Sequence, residues 1–206
     1  MSKISIQKVF NSPISSNCYL IYNKDSTSCI LVDPGTYDNT NHLSHFLKAN
    51  NLNLNYVILT HEHFDHIAGV ISLQEKYQFE LCCSKNTEVA LTDPKRNLSA
   101  FNDQMNPVII NHEPTVLGGN EELILLGTKF HFLLTPGHSP GSLCFLFEQN
   151  FFSGDTLLNQ QKARLNLPGS DKNQYKLSMQ KINQFLKPGM TVYPGHGEPF
   201  IYNFNS

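Results

Sequence analysis

No apolar stretch in the sequence approaches the roughly 20 residues that a membrane-crossing helix needs, which excludes a helical span. C-x-x-C spacing is also missing. The five cysteines, Cys18, Cys29, Cys82, Cys83 and Cys144, are odd in number and sit mostly inside apolar runs, where a thiol behaves as a small hydrophobe. Reduced core thiols in a cytosol are the expectation. Met1 to Phe10 alternates polar and apolar side chains without the continuous apolar segment of a signal peptide, so it reads as a first strand and points to a cytoplasmic protein rather than a secreted one. Charge is scarce. Only 16% of the residues are charged and the net charge is -2, which gives no electrostatic footprint for nucleic acid and speaks against a processing nuclease. No linker, low-complexity run or close repeat divides the chain, and its 206 residues suit one domain, 1–206.

What is present is an alternation of short apolar strands and helices. Cys18 to Tyr22 and Ser28 to Val32 read as a hairpin across Asn23 to Thr27. Helical spacing predicts helices over Asn39 to Ala49, His66 to Tyr77 and Lys172 to Leu186, the last stopped by Pro188-Gly189. Strands are expected at Tyr56 to Thr60, Phe79 to Cys83, Val108 to Ile110, Leu123 to Leu126, Lys129 to Leu134, Leu143 to Phe147, Phe151 to Phe152 and Thr191 to Tyr193. Thr92 to Pro107 reads as a long loop of the kind that often carries function. The pattern suggests sheet packed on sheet with helices outside.

Four of these strand candidates share one grammar: each ends, often through Gly or Pro, and a histidine or aspartate stands just past the end. They are Tyr56-Val-Ile-Leu-Thr-His61, Phe132-Leu-Leu-Thr-Pro-Gly-His138, Phe151-Phe-Ser-Gly-Asp155 and Thr191-Val-Tyr-Pro-Gly-His196. Side chains presented from strand ends can converge at one edge of a sheet. The densest motif is His61-Glu62-His63-Phe64-Asp65-His66. In extended chain His61, His63 and Asp65 would share one face, with Glu62 and Phe64 on the other. His66 rejoins the cluster only if the chain turns there into the expected helix. Two donor subsets offset along a bend suit two metal ions, and imidazole with carboxylate suits zinc and other borderline divalent metals, leaving iron or manganese open. His42, His45, His112 and His131 stand apart from these strand ends and read as polar loop residues.

The ordered set His-x-His-x-Asp-His, Pro-Gly-His138, Gly-Asp155 and Pro-Gly-His196 resembles the metallo-β-lactamase superfamily over about Cys18 to Pro199. The resemblance implies an α+β fold, a four-layer αββα sandwich. It implies that His61, His63 and His138 hold one metal, that Asp65, His66 and His196 hold a second, and that Asp155 bridges them. Asp33 matches a position that supports the ligands in relatives. Within the superfamily, Thr135-Pro-Gly-His-Ser-Pro-Gly-Ser142, Gly154-Asp-Thr-Leu157, Arg164 with Leu167-Pro-Gly169, and Asp93-Pro with Asn97-Leu-Ser99 are similar to compact bacterial members of the glyoxalase II group of thioester hydrolases. Ala163 and Asn166 stand where that group usually has glycine and aspartate. The chain also ends shortly after His196, without the helical region that serves glutathione recognition in full-length members.

The implied chemistry is hydrolysis of a small-molecule thioester or ester by a water activated between two ions, with Asp155 fixing the ions and Asp65 orienting the nucleophile as well as binding metal. Arg164, whose guanidinium can grip a carboxylate in a bidentate manner, is the first candidate for substrate contact, with Asn97 and Ser99 of the long loop beside it. Lys162 reads mainly as surface charge. The alternative is a persulfide dioxygenase of the same fold with a single iron. A flavodiiron oxidoreductase would want a glutamate in place of His63.

Overall fold

A computed structural model describes residues 3–11, 14–36, 40–103 and 105–203. The first half builds a mixed sheet from β1 (Ile4–Phe10), β2 (Asn17–Asn23), β3 (Ser28–Val32), β4 (Asn53–Ile58), β5 (Glu80–Ser84) and β6 (Thr115–Leu117), in that spatial order. β1, β2 and β3 pair antiparallel, and β4 to β6 follow in parallel. The parallel steps leave room for crossover helices, α1 (Thr40–Ala49), α2 (Phe64–Ile67), α3 (Gly69–Gln74) and α4 (Lys85–Ala90). The second sheet has the order β12-β11-β10-β9-β8-β7, from β7 (Glu122–Leu125), β8 (Thr128–Leu134), β9 (Leu143–Phe147), β10 (Asn150–Gly154), β11 (Thr191–Pro194) and β12 (Phe200–Ile201). Its crossover between the parallel strands β10 and β11 carries α5 (Lys172–Ile182).

Alternation along the strands sorts the side chains into three cores. In β2, Cys18 and Leu20 face outward against Leu43 and Leu47 of α1 and Val70 and Leu73 of α3, while Tyr19 and Ile21 face the second sheet. In β9, Phe145 and Phe147 point into the space between the sheets and Cys144 points out toward Ile182 of α5. The middle layer is rich in rings: Phe145 stacks on Phe152 with centroids 4.6 Å apart, and Phe130 on Phe147 at 4.4 Å. Each such side chain contributes roughly 1.5–3 kcal/mol by burial. Helix, sheet, sheet and helix layers therefore stack as an αββα sandwich, the α+β architecture expected.

The differences from the expected elements have local causes. The helix expected over His66 to Tyr77 is broken at Ala68, because Gly69 donates its N–H to Gly35 O at 2.6 Å while Gly35 N–H reaches His66 O at 3.0 Å. A Cβ on Gly69 would meet Pro34 O at 2.7 Å, so only glycine allows this docking. Val108 and Ile110 form no strand, since their main chain is held by Ser99 Oγ and Leu91 O instead, and β6 lies further on. α4 was not among the expected helices; it is capped by Ser84, whose hydroxyl accepts from Thr87 N. The last helix stops at Ile182 and continues to Leu186 as turns. Asn39, the expected start of the first helix, and Met1 lie outside the described residues. Among the described residues no helix is long and apolar enough to cross a membrane.

Candidate metal centre

Seven side chains meet where strands of both sheets end. β4 delivers His61, His63, Asp65 and His66 through a short extended segment that turns into α2, β8 delivers His138, β10 delivers Asp155 and β11 delivers His196. The crowding fixes the backbone: a Cβ on Gly195 would stand 2.2 Å from Asp155 Oδ1, so the chain before His196 passes the carboxylate only as glycine.

One nitrogen of each ring faces inward. His63 Nδ1 and His138 Nε2 stand 3.0 Å apart, and His66 Nε2 and His196 Nε2 3.3 Å. Two nitrogens on one tetrahedral zinc stand about 3.3 Å apart, given Zn–N bonds of ~2.0–2.1 Å. The outward nitrogens of four rings are tied back into the protein: His61 Nδ1 to Thr60 Oγ1 at 3.1 Å, His66 Nδ1 to Asp33 Oδ2 at 3.0 Å, His138 Nδ1 to Arg164 O at 3.0 Å and His196 Nδ1 to Ser15 O at 2.8 Å. Such bonds set ring orientation and leave the inward nitrogen free for a metal. Asp33 does more, because it also receives Thr60 N at 2.8 Å and Thr60 Oγ1 at 2.6 Å, binding the end of β4 to His66.

The donor atoms of His61, His63 and His138 lie within 4.8 Å of one another, as do those of Asp65, His66 and His196. Asp155 touches both sets, with Oδ2 3.5 Å from His138 Nε2 and 3.5 Å from His196 Nε2, and Oδ1 3.7 Å from His66 Nε2. Two buried atoms inside this ring, His61 Nε2 and Asp155 Oδ1, have no hydrogen-bond partner. A buried polar atom left without a partner costs about 1–3 kcal/mol. A bound cation removes that cost, so the donor set fits divalent metal.

Protonation follows position. Burial and the neighbouring histidines push His61 well below the ordinary imidazole range, burial and His138 bring His63 to about 3, and burial also lowers His138. These three rings are neutral donors at pH 7. Burial opposes the charge of His66 too, yet Asp65, Asp33 and Asp155 raise it to about 10. His196 is raised by Asp65 and Asp155 against its burial. Asp65, despite burial, is held well below the usual carboxylate range by His66 and His196.

A cavity of about 640 Å³ opens over the cluster, lined by Arg164, the candidate for substrate contact, and also by Lys162, which read mainly as surface charge. Asn97 and Ser99 do not. They are 0% and 1% exposed: Asn97 Nδ2 donates to Ala90 O and Val108 O, and Ser99 Oγ accepts from Val108 N. Their polar groups brace the loop, and Leu98 and Asn102 between and beyond them face the cavity instead. Phe64 also lines the cavity rather than pointing away with Glu62. Glu62 does turn away, its carboxylate accepting from Ser139 Oγ and Gly141 N and so tying the His61 segment to the turn that carries His138. His45 sits in α1 and His131 in β8, not in loops, and His112 stacks on Phe79; none joins the cluster, and the side chain of His42 lies outside the described residues. Ser15, Thr60 and Ser16, whose hydroxyl donates to Asp65 O at 2.5 Å, gave no sequence signal, since a serine or threonine that serves a ligand looks like any loop residue.

Comparisons with known proteins bear on the family and the fold. A model of the metallo-beta-lactamase superfamily matches residues 11–196. The chain is 31% identical, over 87% of its length and 72% of the relative, to the "Probable polyketide biosynthesis zinc-dependent hydrolase PksB" of Bacillus subtilis. It is 31% identical to the hydroxyacylglutathione hydrolase of Francisella tularensis subsp. novicida over 90% of this chain, spanning 64% of that protein's length. The crystal structure of the BLEG-1 B3 metallo-beta-lactamase superposes with a TM-score of 0.86 at 30% identity, covering 96% of this chain and 94% of that one. The chain belongs to the metallo-beta-lactamase superfamily.

Proposed function

We propose that the protein is a dinuclear metal hydrolase acting on a small-molecule thioester or related ester. The observation that carries this reading is the pair of buried, partnerless atoms, His61 Nε2 and Asp155 Oδ1, inside two converging donor sets. His61, His63 and His138 would hold one ion and Asp65, His66 and His196 the other, with Asp155 between them. Zinc is the first choice, in line with the zinc-dependent hydrolase among the relatives. When bound, the ions would supply Lewis acidity, lowering the pKa of a coordinated water from ~16 toward ~7 and polarising the substrate carbonyl.

The rest falls to the chain itself. Asp65, kept ionised by His66 and His196, offers an acceptor that orients the attacking water. Asp155 keeps the two donor sets in register through its contacts with His138, His66 and His196. Arg164 stands in the cavity as a grip for a substrate carboxylate, while its own carbonyl steadies His138. In the net reaction, water's oxygen joins the acyl carbon, the carbon–sulfur bond breaks, the sulfur leaves as a thiol and the acid leaves as a carboxylate and a proton. The hydroxyacylglutathione hydrolase relative supports a thioester as the bond cleaved.

β-Lactam hydrolysis is a second reading, favoured by the TM-score of 0.86 to a B3 metallo-beta-lactamase. Zinc-loaded protein assayed side by side for thiol release from S-D-lactoylglutathione and for opening of a chromogenic cephalosporin separates them. Thiol release with no cephalosporin turnover is the expected result, and the reverse would replace the thioester reading.

A further inference from the structure

The loop over the metal centre holds a leucine in a conformation leucine avoids. Leu98 has φ 66° and ψ 2°, the left-handed region, where an L side chain crowds its own carbonyl and which glycine or asparagine occupies far more readily. Nothing in leucine's own preferences explains this. The explanation lies on either side. Asn97 is fixed at five points, its amide donating to Ala90 O at 3.1 Å and Val108 O at 2.9 Å, its main-chain N–H donating to Asp93 O at 3.0 Å, its side-chain oxygen receiving Ser99 N at 3.0 Å and its main-chain oxygen receiving Phe64 N at 2.9 Å. Ser99 is fixed by Val108 N at 2.8 Å. The chain between two such clamps is held on its path, and that path sets Leu98 in the wall of the cavity that Phe64 and Asp65 also line.

Ile14, Leu158 and Leu167 line the same cavity, so with Leu98 and Phe64 its wall includes five apolar side chains among charged and polar ones such as Lys162, Arg164 and Gln161. Asn17, also in the lining, has its amide engaged with Tyr19 Oη, Pro194 O and Gly197 O. An acyl chain lying against Leu98 would meet hydrocarbon, while Lys162 and Arg164 offer charge in the same lining. Strain at a residue that touches a functional cavity marks a side chain whose position matters.

On the thioesterase reading above, we propose that Leu98 is a specificity-determining residue that selects thioesters of longer apolar acyl groups over short or hydroxylated ones. The Asn97 and Ser99 clamps are the device that presents it.

The test compares kcat/KM for acetyl, butyryl, hexanoyl and lactoyl thioesters of one thiol, N-acetylcysteamine, in the zinc-loaded wild type, Leu98→Ala and Leu98→Asn. In the wild type the rate constant should rise with chain length. Leu98→Ala should lower the hexanoyl-to-acetyl ratio about tenfold, the scale on which an apolar pocket discriminates. Leu98→Asn, which takes the left-handed backbone more readily than leucine, should shift preference toward the lactoyl ester, with two metals retained in both variants. A ratio unchanged in both variants, with hydrolysis intact, overturns the role of Leu98 alone. A wild type that holds two metals and cleaves none of the series overturns the thioester reading and this proposal with it.

Discussion

Asp33 Oδ2 stands 3.0 Å from His66 Nδ1, and the same carboxylate receives both the main-chain and the side-chain donor of Thr60. A residue on the turn after β3 thus fixes the tautomer of one imidazole and the end of the strand that delivers three more donors of the cluster. Replacing a group that supports a metal-bound histidine typically weakens metal affinity by about 10–100-fold. Asp33→Asn should do so for the site of Asp65, His66 and His196 while the site of His61, His63 and His138 fills normally. Competition with a chelator, read by elemental analysis, checks this. Equal loss from both sites would show that Asp33 acts on the fold rather than on His66.

Asp155 faces both donor sets, so Asp155→Ala should leave about one metal per chain and remove most turnover. A variant that keeps two metals and full rate would remove Asp155 from between the ions.

Metal binding should release protons in a pattern set by the shifted histidines. His66, raised to about 10, carries a proton at pH 8 in the metal-free protein and must lose it to bind, whereas His63, near 3, and His61 and His138, both lowered, have none to give. About two or three protons should appear per chain loaded at pH 8: one from His66, one from the water that the ions activate and a further share from His196, which is raised. The sign follows: affinity falls as pH drops, and the His66 contribution vanishes once pH exceeds about 10. Calorimetry in buffers of different ionisation enthalpy measures the number. Four or five protons would mean that the rings taken here as neutral are charged.

Arg164 and Asn97 should separate function from folding. Arg164→Ala removes an exposed guanidinium from the cavity but keeps the carbonyl that receives His138 Nδ1, so KM should rise about tenfold with metal content and Tm unchanged. Asn97→Ala strands the buried carbonyls of Ala90 and Val108 and should cost about 1–3 kcal/mol, read as a fall in Tm of several degrees. The opposite pattern would restore Asn97 as a substrate contact.

The contrast between those two residues shows what the sequence could tell. The donor cluster was legible because strand-end histidines and aspartates repeat a pattern with a chemical meaning, and the strands Lys129 to Leu134 and Leu143 to Phe147 were legible as short apolar runs broken by glycine. Asn97 and Ser99 were misread because a buried amide that braces a loop and an exposed one that grips a substrate are the same letters. The break at Ala68 was hidden for a similar reason, since it depends on Gly35, far away in sequence, taking the N–H of Gly69. Val108 and Ile110 read as strand because they are apolar and buried, yet their hydrogen bonds go to a serine hydroxyl and a loop carbonyl.

Metal content per chain, determined by elemental analysis on freshly purified protein and paired with thiol release from S-D-lactoylglutathione, tests the central claim most directly. About two zinc ions with measurable thioester cleavage is the predicted result. One iron per chain with oxygen uptake on a persulfide would contradict it and make the protein a dioxygenase.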